Sequence, residues 1–138
     1  MGSLSAEARR VRRERRALIR NGTATESDFD AEIAAQEHEL AAAIKKREQI
    51  DSKLEAADAE KKKYEKKLEE CEQKLAAERS PTVIAELERK MKALDKDIDV
   101  ERRKQSRLLD QSEPLDARIK ELRANIAELK QQMGAWHD

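Results

Sequence analysis

Apolar side chains recur along this chain every seven residues, with a second set three residues after the first. One series runs Ile33, Leu40, Arg47, Leu54, Lys61, Leu68 and Leu75, with Gln36, Ala43, Ile50, Ala57, Tyr64, Cys71 and Glu78 three residues on. A second runs Ile84, Met91, Ile98, Gln105, Ser112, Ile119, Ile126 and Met133, followed by Leu87, Leu94, Glu101, Leu108, Leu115, Leu122, Leu129 and Trp136. Lettered as heptads, the first members are a positions and the second d. Such a stripe is narrow, and it stays dry only against another helix, so the pattern predicts coiled coil.

The punctuation divides the pattern into three helices. Ser5 and Asn21-Gly22 bound a short one over residues 5–20, and Thr23 and Thr25 ahead of Glu26 and Asp28 restart the chain. A long helix over about 26–79 follows. Ser80-Pro81 supplies an N-cap and a first-turn proline, and a second long helix continues from there to about 136. The two registers are out of phase, because Leu75 and Ile84, both at a, lie nine residues apart. A continuous parallel dimer would slip at that break and would stack Arg47, Lys61 and Glu101 each on its own copy, which repels.

Folding back at Pro81 opposes a with d instead. Ile33 then meets Leu129, Leu40 meets Leu122, Leu54 meets Leu108, Leu68 meets Leu94 and Leu75 meets Leu87; each pair of numbers totals 162, twice 81. The same register sets Lys61 against Glu101 as a polar pair in the seam, and Cys71 against Met91. The expected fold is all-α. A short arginine-rich helix over residues 1–22 packs at the open end of a long antiparallel coiled-coil hairpin over 23–138. An arm of that length would extend roughly 80 Å at about 1.5 Å per residue. Pro114 stands at a c position and lacks the amide that would bond to Asp110; the expectation is either a kink there or a proline tolerated on the solvated face. A short helix followed by two long antiparallel ones resembles, in layout alone, the Rho-effector coiled-coil fingers and the tubulin-folding cofactor bundles.

Composition removes the other architectures. The aromatics are one Phe, one Tyr and one Trp in 138 residues, too few for a sandwich, a barrel or an α/β sheet. Charged residues make up 43% of the chain, yet thirty basic residues balance thirty acidic ones, so net charge gives no reason to expect a polyanionic partner. The single Cys excludes an internal disulfide framework and fits an intracellular setting, whether cytoplasmic, cytoskeletal or nuclear. No apolar run approaches the roughly 20 residues of a membrane span, and the arginine-rich start lacks the apolar core of a secretory signal. Met1-Gly2-Ser3 partly fits a myristoylation signal, but Ala6 stands where Ser or Thr is needed.

Charge distribution carries the candidate chemistry. Arg9, Arg10, Arg12, Arg13, Arg15, Arg16 and Arg20 against Glu7 and Glu14 leave residues 1–20 at +5. Residues 21–40 hold six acidic residues and no Lys or Arg, so the first expectation is neutralisation of one stretch by the other, with Val11, Leu18 and Ile19 packing near Phe29, Ile33 and Trp136. The functional reading is a basic arm for nucleic acid, an anionic membrane or a microtubule surface, although no aromatic residue interleaves to stack on bases. A second basic belt comprises Lys62, Lys63, Lys66 and Lys67 with Arg102, Arg103 and Lys104, interspersed with acids at i,i+4 spacing. Ile44 and Leu109, both at e, mark a further stripe for contact between hairpins or with the short helix.

Neither His38 nor His137 has metal-ligand company on its face. No nucleophile–base–orienter set, glycine-rich phosphate loop or EF-hand spacing occurs. The sequence therefore predicts no catalytic, cofactor-binding or metal-binding residue. The expected function is a non-catalytic protein–protein interaction or scaffold module, read also as a fragment of a larger structural or cytoskeletal protein. Its partners would be proteins, including copies of itself through the hairpin flanks, with no small-molecule substrate. The alternative is electrostatic docking of the arginine helix onto a polyanion.

Overall fold

The computed structural model describes residues 6, 7, 9, 10, 12–14 and 26–137, with the side chains of residues 26 and 135–137 outside the description. Two long helices dominate, α1 (Glu26–Ala77) and α2 (Pro81–His137). Residues 6, 7, 9, 10 and 12–14 are also helical. Among the described residues only Glu78, Arg79 and Ser80 lie outside a helix, and there is no strand. The two long helices pack against each other, an all-α helical hairpin. The chain divides into two compact units. A turn unit spans Gln49–Ser112, and a terminal unit joins Met1–Glu48 to Glu113–Asp138.

In the turn unit the heptad pattern accounts for nearly all burial. Apart from Asp58, Glu60 and Ser80, every residue there that is not fully exposed occupies an a or d position. Ile50, Ala57, Cys71, Leu87 and Ile98 are its buried apolar members. With full burial of a Leu or Ile worth about 1.5–3 kcal/mol, a two-helix seam gains stability layer by layer and has no deep core to add to it.

The connection is tight and contains no glycine. α1 ends at Ala77 and α2 starts at Pro81, whose fixed φ suits a first helical position. Ser80 C=O accepts the first bond of α2 from the Ile84 amide at 2.9 Å. Amides freed by the turn are taken up by one side chain: Glu78 Oε1 accepts from the backbone N–H of Arg79 at 3.1 Å and of Ser80 at 3.0 Å. A carboxylate thus bridges the reversal and satisfies two amides that the helices leave free.

One seam expectation is corrected. Lys61 and Glu101 do not bond to each other. Lys61 Nζ donates to Gln105 Oε1 at 3.4 Å and lies 3.8 Å from Asp58 Oδ1, while Glu101 Oε1 accepts from Lys104 Nζ at 3.2 Å. The lysine's flexible stem lets its ammonium leave the dry seam for polar company at the edge. Glu101, short and buried, is met instead by a lysine one turn along its own helix.

The terminal unit is thicker. Phe29, Leu122 and Leu129 are the largest fully buried side chains among the described residues, and Phe29, Ile33, Ile126 and Leu129 form a cluster against which Leu40 and Met133 pack. Phe29 extends the d series by one heptad. Pro114 stands within α2, which is helical on both sides of it, and the buried Ser112 hydroxyl donates to Leu109 C=O at 2.7 Å in the adjoining turn. Val11, Leu18, Ile19 and the Trp136 side chain, expected to pack here, lie outside the described residues.

Candidate functional site

Two flanks of the hairpin carry the residues of interest, and both are g positions. In an antiparallel pair the g positions of the two helices face one another across one side of the seam.

In the terminal unit that side is covered. Asn125 and Gln132 on α2 are g positions, which a bare two-helix seam would leave partly open, yet both are buried. The N-terminal helical residues lie against this side through two ion pairs. Arg12 grips Glu128 with both ends of its guanidinium, Nε to Oε1 at 2.6 Å and Nη2 to Oε2 at 3.1 Å. Glu7 Oε2 stands 3.8 Å from Arg118 Nη1. The basic segment therefore places Arg12 on an acid of α2, not on the acidic stretch of α1 that its charge alone would select.

Arg118 ties the unit together. Its Nη2 and Nε donate to Glu39 Oε1 of α1 at 2.6 and 3.0 Å, and its Nη1 lies 3.5 Å from Glu121 Oε1 on its own helix. With Glu7, three carboxylates from three stretches of chain meet one guanidinium. The bond from Glu39, then the charges of Glu39, Glu121 and Glu7, hold Arg118 more firmly protonated than an ordinary arginine, against the opposing effect of burial. On the opposite side, Arg47 reaches out of its a position to Asp116 at 2.8 Å, and Lys130 meets Glu37 at 3.3 Å.

The remaining N-terminal arginines divide in two. Arg9, Arg10 and Arg13 are exposed and make no ion pair among the described residues; Arg15, Arg16 and Arg20 lie outside those residues. The second basic belt is partly neutralised. Lys62 bonds Asp58 at 3.0 Å, Lys63 Glu60 at 3.4 Å, Arg103 Asp99 at 2.9 Å and Lys104 Glu101 at 3.2 Å. Lys66, Lys67 and Arg102 are exposed and make no ion pair among the described residues. The Lys62 bond lowers the Asp58 carboxyl below its usual range, and the same bond raises the Lys62 ammonium.

In the turn unit the g side is open. Lys53 and Glu60 of α1 face Lys104 and Gln111 of α2 across a groove of about 450 Å³, floored by the d residues Ala57, Glu101 and Leu108 and edged by the exposed Ala56 and Arg107. Sequence reasoning did not single out this groove, Arg118 or Glu78. A signal for the covered flank was available: two amides, Asn125 and Gln132, stand seven apart where the rest of α2 carries mostly charge. The e-position stripe takes a different form from the one expected. Leu109 is 52% exposed and Ile44 half-buried, while the ion pairs place the N-terminal residues on the g side.

Among the described residues no three His, Cys, Asp or Glu side chains are grouped to hold a metal ion, and no helix is long and apolar enough to cross a membrane. The chain matches no protein-family model, no curated protein and no solved structure.

Proposed function

We propose that this chain is a non-catalytic coiled-coil module that binds a protein partner along the flank of its hairpin, in a reducing intracellular compartment where the buried Cys71 stays a thiol. The observation that supports this reading is the contrast between the two g flanks. The chain covers one with its own helical residues and leaves the other as a groove with Ala57 and Leu108 on its floor and charged edges. Helices lying in such grooves are a recurrent mode of recognition, with affinity from the apolar stripe and partner choice from the edges. The test is affinity enrichment with the intact chain across a salt series, followed by identification of what is retained. A protein held through the series supports the reading; retention of nucleic acid or lipid alone, lost as salt rises, sinks it.

A second reading has one observation in its favour. Arg9, Arg10 and Arg13 stand exposed and unpaired among the described residues, so the N-terminal segment can present positive charge while Arg12 anchors it. Docking on a polyanion would then fall steeply with salt and be abolished by replacing those three arginines with glutamine.

A further inference from the structure

The groove of the turn unit has a composition that selects among partners. Of the charged residues lining it, Glu60 is engaged by Lys63 and Glu101 by Lys104. Lys53 on one edge and Arg107 on the other are exposed and make no ion pair among the described residues. Both acids are thus already neutralised while two cations remain unanswered, so the groove offers uncompensated positive charge on both rims. Its floor is low: Ala57 and Leu108 supply apolar contact on either side of the buried Glu101, and Ala56 on the lip, like Ala57, has only a methyl side chain, which lets a third backbone come close. The terminal unit holds its N-terminal helical residues beside its own g flank through two Arg–Glu pairs, both to α2: Arg12 with Glu128 and Glu7 with Arg118.

We propose that the groove between Lys53 and Arg107 is the docking site for one amphipathic helix of an acidic partner protein. The partner's apolar stripe lies on Ala56, Ala57 and Leu108, and its flanking carboxylates meet Lys53 and Arg107. This rests on the interaction-module reading and gives it a partner chemistry. Arg107 also borders a second depression, with Val100, Arg103 and Ser106.

The test uses the intact chain and three labelled helix-forming peptides of about 18 residues, followed by fluorescence anisotropy. One carries an apolar heptad stripe flanked by Glu. A second has the same stripe flanked by Lys, and a third has the Glu content with the stripe scrambled. The acidic amphipathic peptide is expected to bind at least tenfold more tightly than either other. The K53E/R107E variant should weaken it at least tenfold, and Ala56→Leu, which fills the groove from its lip, should weaken it comparably. K66E/R102E, which removes cations outside the groove, should leave it within twofold. Circular dichroism of each variant establishes that it remains helical. Equal binding of the scrambled acidic peptide would show a polyanion site and overturn the proposal. So would a chain that self-associates in sedimentation through the groove and excludes the peptide. If no peptide binds while the salt-resistant partner is still retained, the groove assignment fails and the interaction-module reading stands; loss of both removes both.

Discussion

Asn125 and Gln132 sit at the same heptad letter as Lys53 and Lys104. The first two are buried and uncharged; the other two are exposed cations. The difference is what lies against them. In the terminal unit the N-terminal helical residues are held beside the g flank by the Arg12–Glu128 and Glu7–Arg118 pairs, and the largest fully buried side chains among the described residues, Phe29, Leu122 and Leu129, occur there. In the turn unit two helices share only their a and d stripes, and layers such as Leu94 keep contact with water. The residue types of these four follow the burial: uncharged amides stand at the g positions that are buried, and cations at the pair that faces water.

The most severe way to break this contrast is to cut the same side chain from the same letter in each unit. Leu122→Ala should cost about 3–4 kcal/mol, because a fully enclosed leucine leaves a cavity, whereas Leu94→Ala should cost about 1–2 kcal/mol because solvent already reaches it. Equal costs in chemical denaturation would show that the N-terminal residues do not deepen the seam. Next in size, replacing both Lys61 and Glu101 with Leu should raise stability by about 1–3 kcal/mol. Those two charges occupy seam positions without answering one another, so a lower thermal midpoint in the double variant would contradict the bonding described for them.

Smaller effects sharpen the comparison. Arg118→Gln should cost about 1 kcal/mol and speed amide exchange in the N-terminal helical residues, since three carboxylates lose a shared partner. Arg103→Gln, which removes an exposed pair within one helix, should cost a few tenths of a kcal/mol at most. Denaturation and hydrogen exchange on the two variants, measured side by side, would show whether the difference exists. The smallest effect is a titration. Asp58 is depressed in the folded chain by Lys62, so their bond contributes above the ordinary carboxylate range and is lost as pH falls through the lowered value. Lys62→Gln should bring the Asp58 titration back up toward its usual range in an NMR experiment; an unmoved titration would leave the depression without its main cause.

Much of this architecture could be read from the residues. The seven-residue recurrence, the phase break between Leu75 and Ile84 and the Ser80-Pro81 step determine the pairing, because a narrow apolar stripe has few ways to stay dry. Individual polar bonds were not legible in the same way. A register places Lys61 and Glu101 in one layer, but long side chains choose among several partners within reach, and hydration favoured Gln105 and Asp58 for one and Lys104 for the other. Arg118 was not legible because two of its three carboxylates, Glu7 and Glu39, come from stretches far from it in sequence, and the third, Glu121 at i,i+3, has a spacing common to many pairs in this chain. The side of the hairpin on which the N-terminal residues lie depended on Arg12 finding Glu128, 116 residues away, while the dense acid of residues 26–39 suggested otherwise.

The glycine-free reversal at Glu78 bears on how the molecule assembles. Its bonds join neighbours in the chain, so the loop that must close first is short, and closing it costs little entropy. From there each layer brings the next within reach, and the hairpin can zip outward from its own bend. During synthesis the apolar stripe of α1 has no partner stripe to meet until residues beyond Pro81 emerge. The Arg12–Glu128 pair would form last, as a latch on a structure already shut.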